Sequence, residues 1–565
     1  MTDNKPCQTE SRFVLRCVLQ VLVQGNGLYY GWMGGLCCLL ALGVSYSIPQ
    51  MSEGLVVANM REQVSWGLYI ANFSFLVGVA AAAVLLVIPA YLYNFKAIKK
   101  IVAFGDLMAI TAVVMAMLFV QVDTGRPERF WHSLPIVGTP NVPDSILGWD
   151  IIALIGYLLI NLIVVTHMIS STYLGREPNR RFVMPLILLS IPWAVMLHSV
   201  TAFIFNGLAA RPFWNASILA PRFLASAFCA GPALMILIFQ VLRRVTVFEI
   251  RDTAIFKLAD IISYAMAINI FLLIAEVYKE YYTDTLEFMP MIYLYMGLDD
   301  HQALVPWIWT AMFCNLIGFF LLLIPKTRKI FLTLNIGCVL IFIGIWIEKG
   351  LGLIVPGFIP DSLGEIYEYM PSRNEVFVAV GIWAFGAILY TLMARLVIAV
   401  DTGQLRHRSA PPLVDDDEEG IVARDIMSRN VRSVLPKTPI GEVRTVLVAN
   451  RISGLPVVDG NNRVIGVISE TDIVFSLIHQ EPQLAEILTS ILLPRSQDRE
   501  EKTGNTAEEV MTSPPIIAEE NTPLTELTQI IAEKRISRVI IVDPERHPVG
   551  VVAQIDIVKS QGLGR

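Results

Sequence analysis

About ten long runs of apolar residues, separated by short polar segments, fill the first 400 or so positions of the chain. Each run is close to the roughly 20 residues that an α-helix needs to cross the ~30 Å hydrocarbon layer of a bilayer. The predicted membrane spans are 32–50, 66–93, 101–122, 150–171, 184–208, 221–242, 258–278, 305–325, 329–348 and 375–400. The first run is the least apolar, since Gly34, Gly35, Gly43 and Ser45 dilute it.

Loops rich in Lys and Arg alternate with poorer loops along this pattern. The rich set contains Lys96, Lys99, Lys100, Arg176, Arg180, Arg181, Arg243, Arg244, Arg251, Lys257, Lys326, Arg328 and Lys329. The poorer set contains Arg61, Arg126, Arg129, Arg211, Arg222, Lys279, Lys349 and Arg373. Because short basic loops stay in the cytoplasm, we expect a multi-pass inner-membrane protein with both its N- and C-termini cytoplasmic.

Composition separates two modules. Hydrophobic residues make up 55% of the 565 positions and charged residues only 16%, yet the last 150 or so positions resemble an ordinary soluble domain. We therefore predict a cytoplasmic N-terminal segment at 1–30, a transmembrane domain at 31–400 and a linker at 401–420 that includes an acidic run. Membrane lipid is an expected partner, and nucleic acid is not.

The cysteines and histidines make a redox metal in this chain improbable. Seven cysteines occur without a C-x-x-C pair and none lies in the tail, which disfavours an iron–sulfur cluster or zinc site held by this chain alone. A haem held by two histidines needs both at one depth on facing helices. His167 and His198 lie at different depths of their predicted spans, so we expect no haem.

The tail contains two copies of one unit at a constant offset of 84 residues, as from Met427 to Met511 and from Asp472 to Asp556. Each copy is predicted to run helix, strand, turn, strand, helix. The copies span 421–480 and 505–565, joined by a linker at 481–504. The predicted strands are 454–458 and 464–468 in the first copy, and 538–542 and 548–552 in the second.

This unit resembles the cystathionine-β-synthase-type (CBS) repeat, an α/β module that binds adenosine-containing ligands between paired copies. The resemblance rests on Gly466-Val467-Ile468-Ser469-Glu470-Thr471-Asp472. It implies a site for AMP or ATP formed by Ser469, Thr471, Asp472, Arg538 and Asp556. The alternative is a ligand-free module for dimerisation through the CBS pair, in which Asp472 only caps the following helix.

A dense group of charged and aromatic residues lies between the third and fourth predicted spans. Its candidate contacts for a quinone or a docked protein are Asp123, Arg126, Arg129, Trp131, His132, Trp149 and Asp150. Aromatic rings and guanidinium groups at an interface suit a lipid headgroup, a quinone ring or a docked protein. An interfacial tryptophan, however, is more often a membrane anchor.

This loop resembles that of the NrfD/PsrC family, the quinone-interacting membrane subunits of polysulfide-reductase-type complexes. The segments from Trp66 to Ala80 and from His198 to Leu224 are similar as well. The resemblance implies a mostly α bundle with two four-helix-bundle-like halves, and menaquinone or another quinone as cofactor. It also implies a periplasmic ferredoxin-like iron–sulfur partner and further cytochrome or molybdopterin subunits.

Ionisable and polar residues within the predicted spans are costly in lipid and point to a functional site. The candidates for a proton relay are Asp106, Asn161, His167, His198, Asp260 and Glu276, with Glu348 nearby. The alternative is that residues near the inner ends reach water while His198 bonds a neighbouring helix.

Two functions remain open at this point. The leading hypothesis is a quinone-binding subunit of an anaerobic respiratory complex with a nucleotide-sensing tail. The rival is an ion or solute transporter gated by the CBS pair. A transporter is expected to show inverted halves around a midplane site, and the sequence shows no such symmetry.

Overall fold

The computed structural model describes residues 7–9, 14–93, 95–134, 137–283, 288–361, 363–408, 410, 422–450, 452–473, 504–534 and 536–562. The chain forms two compact units, Met1–Pro412 and Leu413–Arg565. The acidic run of the predicted linker and almost all of the predicted inter-repeat linker lie outside the described residues. Each unit is taken separately below.

The first unit is helical. Its α-helices are α1 (Val14–Val23), α2 (Gly27–Glu53), α3 (Leu68–Ala80), α4 (Ala82–Val87), α5 (Lys96–Lys99), α6 (Val102–Asp123), α7 (Ile146–Tyr173), α8 (Arg180–Asn206), α9 (Leu219–Val245), α10 (Asp252–Thr283), α11 (Phe288–Tyr295), α12 (Val305–Leu323), α13 (Pro325–Arg328), α14 (Phe331–Lys349), α15 (Leu351–Ile354) and α16 (Arg373–Asp401). A short parallel pair joins β1 (Cys7–Thr9) to β2 (Leu405–His407).

Among the described residues of this unit, ten helical stretches are long and apolar enough to cross a membrane, as the sequence predicted. They centre on α2, α3, α6, α7, α8, α9, α10, α12, α14 and α16. The predicted end of the ninth span was wrong, because helical structure continues past residue 348 to Phe358. Lys349, which we had counted as a loop cation, therefore lies within that span. We call the end of the unit at which α6 and α8 finish the outer end, following the predicted orientation, and the opposite end the inner end.

Eight of these spans form two four-helix bundles. In the first bundle α3 packs on α6, α6 on α7, α7 on α8, and α8 returns to α3. In the second bundle α9 packs on α10, α10 on α12, α12 on α14, and α14 returns to α9. Contacts of α3 with α9 join the two bundles into one apolar core. The predicted pair of four-helix-like halves is thereby confirmed.

Burial differs sharply among the spans and explains their composition. The spans of α3 and α6 are 78% and 83% buried, and they are apolar on every side because other helices surround them. The span of α2 is only 11% buried. It lies outside both bundles and packs on α16, where Gly43 meets Gly381 so closely that a Cβ on Gly43 would lie 2.5 Å from the Gly381 Cα.

The second unit contains the two α/β repeats. The first copy has α17 (Ala423–Ile426), α18 (Ile440–Asn450), β3 (Gly454–Val458) and β4 (Val464–Ser469); the second has α19 (Ala507–Val510), β5 (Ile517–Glu519), α20 (Leu524–Glu533), β6 (Arg538–Val542), β7 (Pro548–Ala553) and α21 (Gln554–Gly562). The strands β3 and β4 pair antiparallel, as do β6 and β7, while β5 joins β6 in parallel. The predicted strands are confirmed to within a residue.

The two repeats exchange their first segments. Met427 of the first copy packs on Gly550 of the second, and Met511 of the second packs on Gly466 of the first. A side chain at either glycine would displace the methionine side chain that packs there. The two copies fold as one unit.

Candidate functional site

A buried carboxylate stands at the outer end of the first bundle. Asp150, on the first turns of α7, is fully buried. The Thr201 hydroxyl on α8 donates a hydrogen bond to Asp150 Oδ1 at 2.5 Å. Asp150 Oδ2 has no hydrogen-bond partner within the described part of the chain. A buried polar oxygen without a partner is costly and requires an explanation, such as a bound proton or ligand.

A groove opens beside this carboxylate on the outer surface of the first bundle. It has a volume of about 280 Å³ and is lined by Ile146, Trp149, Val200, Phe203, Asn206 and Gly207. The side chains of Trp149 and Phe203 are about half exposed, and the Trp149 indole donates to the Pro143 carbonyl at 3.0 Å. The groove is largely apolar, so it suits a hydrophobic ring or chain.

His198 lies one helical turn below Thr201 on α8 and is also buried. Its Nδ1 lies 2.6 Å from the Ala194 carbonyl, which can only accept, so Nδ1 carries a proton. Its Nε2 makes no hydrogen bond of ordinary geometry with a described residue, and the backbones of Val77 and Gly78 on α3 lie close to the ring. Since positions three apart share one face of a helix, His198 continues inward from Thr201 and Asp150.

The predicted aromatic and arginine loop is an exposed surface. The rings of Trp131 and His132 stack with centroids 3.7 Å apart, on a short 3₁₀ helix that follows α6. Arg126 pairs with Glu128 at 3.5 Å, and both side chains are about half exposed or more. Arg129 is also exposed. The structure thus separates this surface from the buried Asp150, although the sequence had grouped them together.

An aromatic cluster closes the outer end between the two bundles. Trp66, Phe205, Trp214 and Phe358 meet there with ring centroids 5.0 to 5.9 Å apart. The Trp214 indole is fully buried and donates to the Leu353 carbonyl at 2.8 Å. Two of the segments that carried the sequence resemblance therefore contact each other here.

The second bundle holds a buried charge cluster with one residue from each of its four helices. Arg222 (α9), Glu276 (α10), Asn315 (α12) and Glu348 (α14) are each 7% exposed or less. Arg222 pairs with Glu348 at 2.8 Å and also contacts Glu276. The Asn315 amide donates to the other oxygen of Glu348 at 2.9 Å. We call these four residues the charge cluster; they link all four helices in the outer half of the bundle.

Lys349 borders this cluster and was missed as a site residue. It is 3% exposed, and its Nζ lies 5.1 Å from the centre of the Phe223 ring. Its Nζ has no hydrogen-bond partner among the described residues. One sequence signal could have found it: the apolar run resumes at Leu351 and continues to Phe358, so Glu348 and Lys349 interrupt a span and do not end it.

Two of the predicted relay residues lie together in the inner half of the first bundle. Asp106 is buried, and its Oδ2 has no hydrogen-bond partner in the described ranges. Its carboxylate lies within electrostatic range of the hydroxyls of Tyr91 and Tyr157. The Asn161 amide donates to the Tyr157 carbonyl at 2.7 Å. Tyr91 belongs to a π-helical turn, a distortion that is frequent at functional sites.

The other two inner residues of the predicted relay make local contacts. His167 Nε2 accepts from the backbone of Asn179 at 3.2 Å. Asp260 pairs with Arg328 at 2.6 Å, and both side chains are partly exposed. No hydrogen-bonded chain within the described residues connects them to Asp106 or to His198. The relay as a whole stays a prediction.

In the repeat unit, the candidate nucleotide residues lie along one strand edge. Asp472 Oδ2 accepts from the Ser469 backbone at 2.8 Å and from its hydroxyl at 2.6 Å. Asp556 likewise accepts from the Ala553 backbone at 2.9 Å. Both carboxylates therefore occupy helix-capping positions.

Arg538 of the second copy reaches the first copy at this edge. Its guanidinium contacts the Ser453 hydroxyl, and Ser453 directly precedes Gly454, the residue paired with Ser469 across β3 and β4. Burial lowers the pKa of Arg538 from its ordinary value. Thr471 is exposed beside Asp472. The structure thus brings Arg538 close to Ser453 and Gly454, opposite Ser469.

These features define a polytopic membrane protein with two four-helix bundles and a tandem repeat unit. Residues 56–358 match the family model described as "Polysulphide reductase, NrfD", and residues 422–479 and 507–562 match the CBS domain model. The first match covers more than half of the chain, and the chain belongs to the NrfD family. The matched region contains the eight spans of the two bundles and leaves α2 and α16 outside.

The chain matches several known proteins over nearly their whole length. A "Putative dimethyl sulfoxide reductase" membrane subunit of Halobacterium salinarum is 26% identical over 65% of this chain and 91% of the relative. A "Selenate reductase" subunit of Mesobacillus selenatarsenatis is 23% identical over 64% and 92%. The "Hdr-like menaquinol oxidoreductase integral membrane subunit" of Archaeoglobus fulgidus is 22% identical over 66% and 94%. The chain is thus similar to membrane subunits of reductase complexes.

Proposed function

We propose that this chain oxidises or reduces a quinone at the outer end of its first bundle, as the membrane subunit of a respiratory reductase complex. The observation that carries the proposal is Asp150, a buried carboxylate with one unpartnered oxygen, whose neighbour Trp149 lines an apolar groove. A quinone has this dual character, since its ring and tail are apolar and its two oxygens exchange protons. Two relatives are named for reductases and one for menaquinol, which supports the same class.

In this proposal the groove and the acid have separate tasks. Trp149 and Phe203 provide apolar walls for the ring. Asp150 Oδ2 exchanges a proton with a quinone oxygen that reaches inward from the groove, because a carboxyl that comes within hydrogen-bond reach is an effective general acid or base. Thr201 fixes the other oxygen of Asp150, so the reactive oxygen keeps one orientation. His198 lies next in line to pass the proton inward.

Electrons leave or enter through a partner subunit. The exposed surface of Arg126, Arg129, Trp131 and His132 lies at the same outer end and offers stacked aromatic rings and guanidinium groups. Aromatic and arginine side chains are typical anchors of protein interfaces. We propose that a periplasmic ferredoxin-like iron–sulfur subunit docks on this surface, with a molybdenum or cytochrome subunit beyond it.

The decisive experiment replaces Asp150 by Asn in the intact complex and measures quinol oxidation at saturating electron acceptor. We expect a fall of roughly 10²- to 10⁴-fold, the range typical of a lost general acid or base. The matched control is Asp144→Asn, a change of the same chemistry at an exposed position six residues earlier. Equal activities of the two variants would exclude Asp150 from the chemistry.

For the tail we propose an adenosine-nucleotide site at Ser469, Thr471, Asp472 and Arg538. The approach of Arg538 to the first copy supports this assignment, since a guanidinium at the junction of two copies suits a phosphate. Titration calorimetry of the full chain in detergent with AMP and ATP tests the site. We expect Arg538→Met to weaken binding more than Asp556→Asn does. Absence of heat with either nucleotide would leave the dimerisation alternative.

A further inference from the structure

The charge cluster of the second bundle does not balance on its own. Glu276 and Glu348 share a single cation, Arg222, so the three ionised groups carry one negative charge in excess. All three side chains are buried, where an uncompensated charge is costly. One additional positive charge or one additional proton is therefore required in their vicinity.

Lys349 is the adjacent group able to supply that charge. It follows Glu348 in the sequence, is buried, and lies within electrostatic range of Arg222 and Glu348. No described residue accepts a hydrogen bond from its Nζ, which lies 5.1 Å from the centre of the Phe223 ring. A cation–π contact is weaker than an ion pair. The Lys349 amine thus lies near the cluster but forms no hydrogen bond with a described residue of it.

The other titratable groups near the cluster, among the described residues, have partners or stay neutral. The Cys229 thiol of α9 donates to the Ala225 carbonyl at 3.2 Å. Burial raises the pKa of Tyr295, which precedes α12, to about 12, so its hydroxyl is neutral. Glu280 of α10 pairs with Lys279 at 2.7 Å. Ser74 approaches from α3 with a hydroxyl that does not titrate and that donates to the Lys349 carbonyl.

We propose that the second bundle holds one exchangeable proton that resides either on the Lys349 amine or on a carboxyl of the Glu276 and Glu348 pair. With the proton on Lys349, the four ions Arg222, Lys349, Glu276 and Glu348 are together electrically neutral. With the proton on a glutamate, the amine is neutral and Arg222 pairs with the remaining carboxylate. Both states keep the buried region neutral, and transfer between them moves a proton without creating net charge. For a quinone-linked subunit, which rests on the function proposed above, this is a proton-loading site distinct from Asp150.

Infrared spectroscopy of the full-length chain in lipid nanodiscs, recorded as the difference from the Glu276→Gln, Glu348→Gln variant, tests the proposal through the C=O stretch of a protonated Glu276 or Glu348 carboxyl. Asp106 and Asp150 are present in both samples, so their own C=O stretches cancel. In Lys349→Met the amine is no longer available, so the proton must stay on a glutamate, and the band is expected at full intensity. In Lys349→Arg the added cation cannot release its proton, so the band is expected to disappear. The wild-type chain is expected to lie between these two intensities.

Further variants of the full-length chain assign the band to the two glutamates and serve as controls. Adding Glu348→Gln and Glu276→Gln to Lys349→Met is expected to remove the band, and Lys326→Met, which changes an exposed lysine on α13, is expected to leave the wild-type spectrum unchanged. Identical band intensities in Lys349→Arg and the wild-type chain would overturn the proposal, as would a folded Lys349→Met protein without the band. If Lys349→Met does not fold, the comparison of Lys349→Arg with the wild-type chain decides. The measurement needs neither quinone nor partner, so its failure leaves the role of Asp150 to be judged separately.

Discussion

The two four-helix bundles bury charge in opposite ways. In the first bundle the buried acids Asp106 and Asp150 stand alone, each with an oxygen that no described residue satisfies. In the second bundle Glu276 and Glu348 share Arg222, and Asn315 donates a hydrogen bond to Glu348. A lone buried acid is tolerated where it serves a reaction, whereas a linked set of charges also holds helices together. The comparison therefore separates a bundle whose buried acids have no cationic partner from a bundle whose buried acids share one.

The largest expected effect is the loss of the shared cation in the second bundle. Arg222→Met leaves two buried carboxylates without a partner, and we expect it to lower the free energy of unfolding by about 3–5 kcal/mol. Denaturant unfolding of the full chain in detergent micelles measures the change. The matched control is Arg243→Met on the same helix, where a partly exposed pair with Asp252 is worth about 1 kcal/mol or less.

A rescue variant sharpens this prediction. Adding Glu276→Gln and Glu348→Gln to Arg222→Met removes the uncompensated charges, so most of the lost stability should return. If the triple variant is as unstable as the single one, lost packing and not lost charge pairing explains the effect. The difference between the two bundles would then lie in side-chain packing and not in how they pair buried charges.

The next effect concerns the joint between the bundles. Asn72 on α3 is buried, and its carbonyl oxygen accepts from the indoles of Trp346 at 3.1 Å and Trp383 at 2.9 Å. Asn72→Leu leaves both donors unsatisfied, which we expect to cost about 2–3 kcal/mol. Tryptophan fluorescence should shift at the same time, since both indoles lose a polar partner. Ser74→Ala, two residues along the same helix, removes a single bond and should cost about 1 kcal/mol.

A smaller effect is expected at the reactive acid. Thr201→Val keeps the side-chain shape but removes the donor to Asp150, at an expected cost of about 1–2 kcal/mol. Quinol oxidation should fall less than in Asp150→Asn, because the reactive oxygen is kept and only its orientation is lost. Ser199→Ala, an exposed hydroxyl on the same helix, is the control for both measurements. An unchanged rate in Thr201→Val would show that this hydrogen bond does not position the acid.

The smallest stability effect is expected at Asp106. It has an oxygen without a partner among the described residues, so Asp106→Asn should change the free energy of unfolding by less than about 1 kcal/mol. Proton uptake from the inner side, measured with a pH dye in vesicles during quinol turnover, should nevertheless slow. Asp260→Asn is the inner-end control, because its carboxylate pairs with Arg328 near water. Equal proton uptake in the two variants would remove Asp106 from the relay.

Hydrophobic pattern predicted the architecture well because lipid and a buried core impose strong constraints. All ten spans and the four predicted tail strands were found with small boundary changes. The ninth span was cut short because the adjacent pair Glu348 and Lys349 resembles the polar end of a helix. A hydropathy pattern cannot distinguish a charge at a membrane surface from one neutralised inside a bundle, since that difference depends on Arg222, which is distant in the sequence.

The site was harder to predict, for a geometric reason. Trp149 and Asp150 are neighbours in sequence, but adjacent residues of a helix point about 100° apart. One therefore faces the groove and the other the bundle interior. The sequence grouped Asp150 with the exposed Trp131, because it does not show that α7 begins at Ile146. The candidate relay residues Asp106 and His198 were found from their cost in lipid alone, while their partners required the fold.

The crossing of Gly43 over Gly381 has a topological consequence. The family-matched region begins before α3 and finishes at the end of the ninth span, so on its own it would start and stop on the same side of the bilayer. The packed helices α2 and α16 add one membrane crossing before the family-matched region and one after it. Each addition carries an adjoining segment to the opposite compartment without inverting the eight helices between them. The close contact of Gly43 with Gly381 thus holds together the two added helices. These helices place the segments before and after the eight-helix region on the side of the bilayer opposite to the ends of that region.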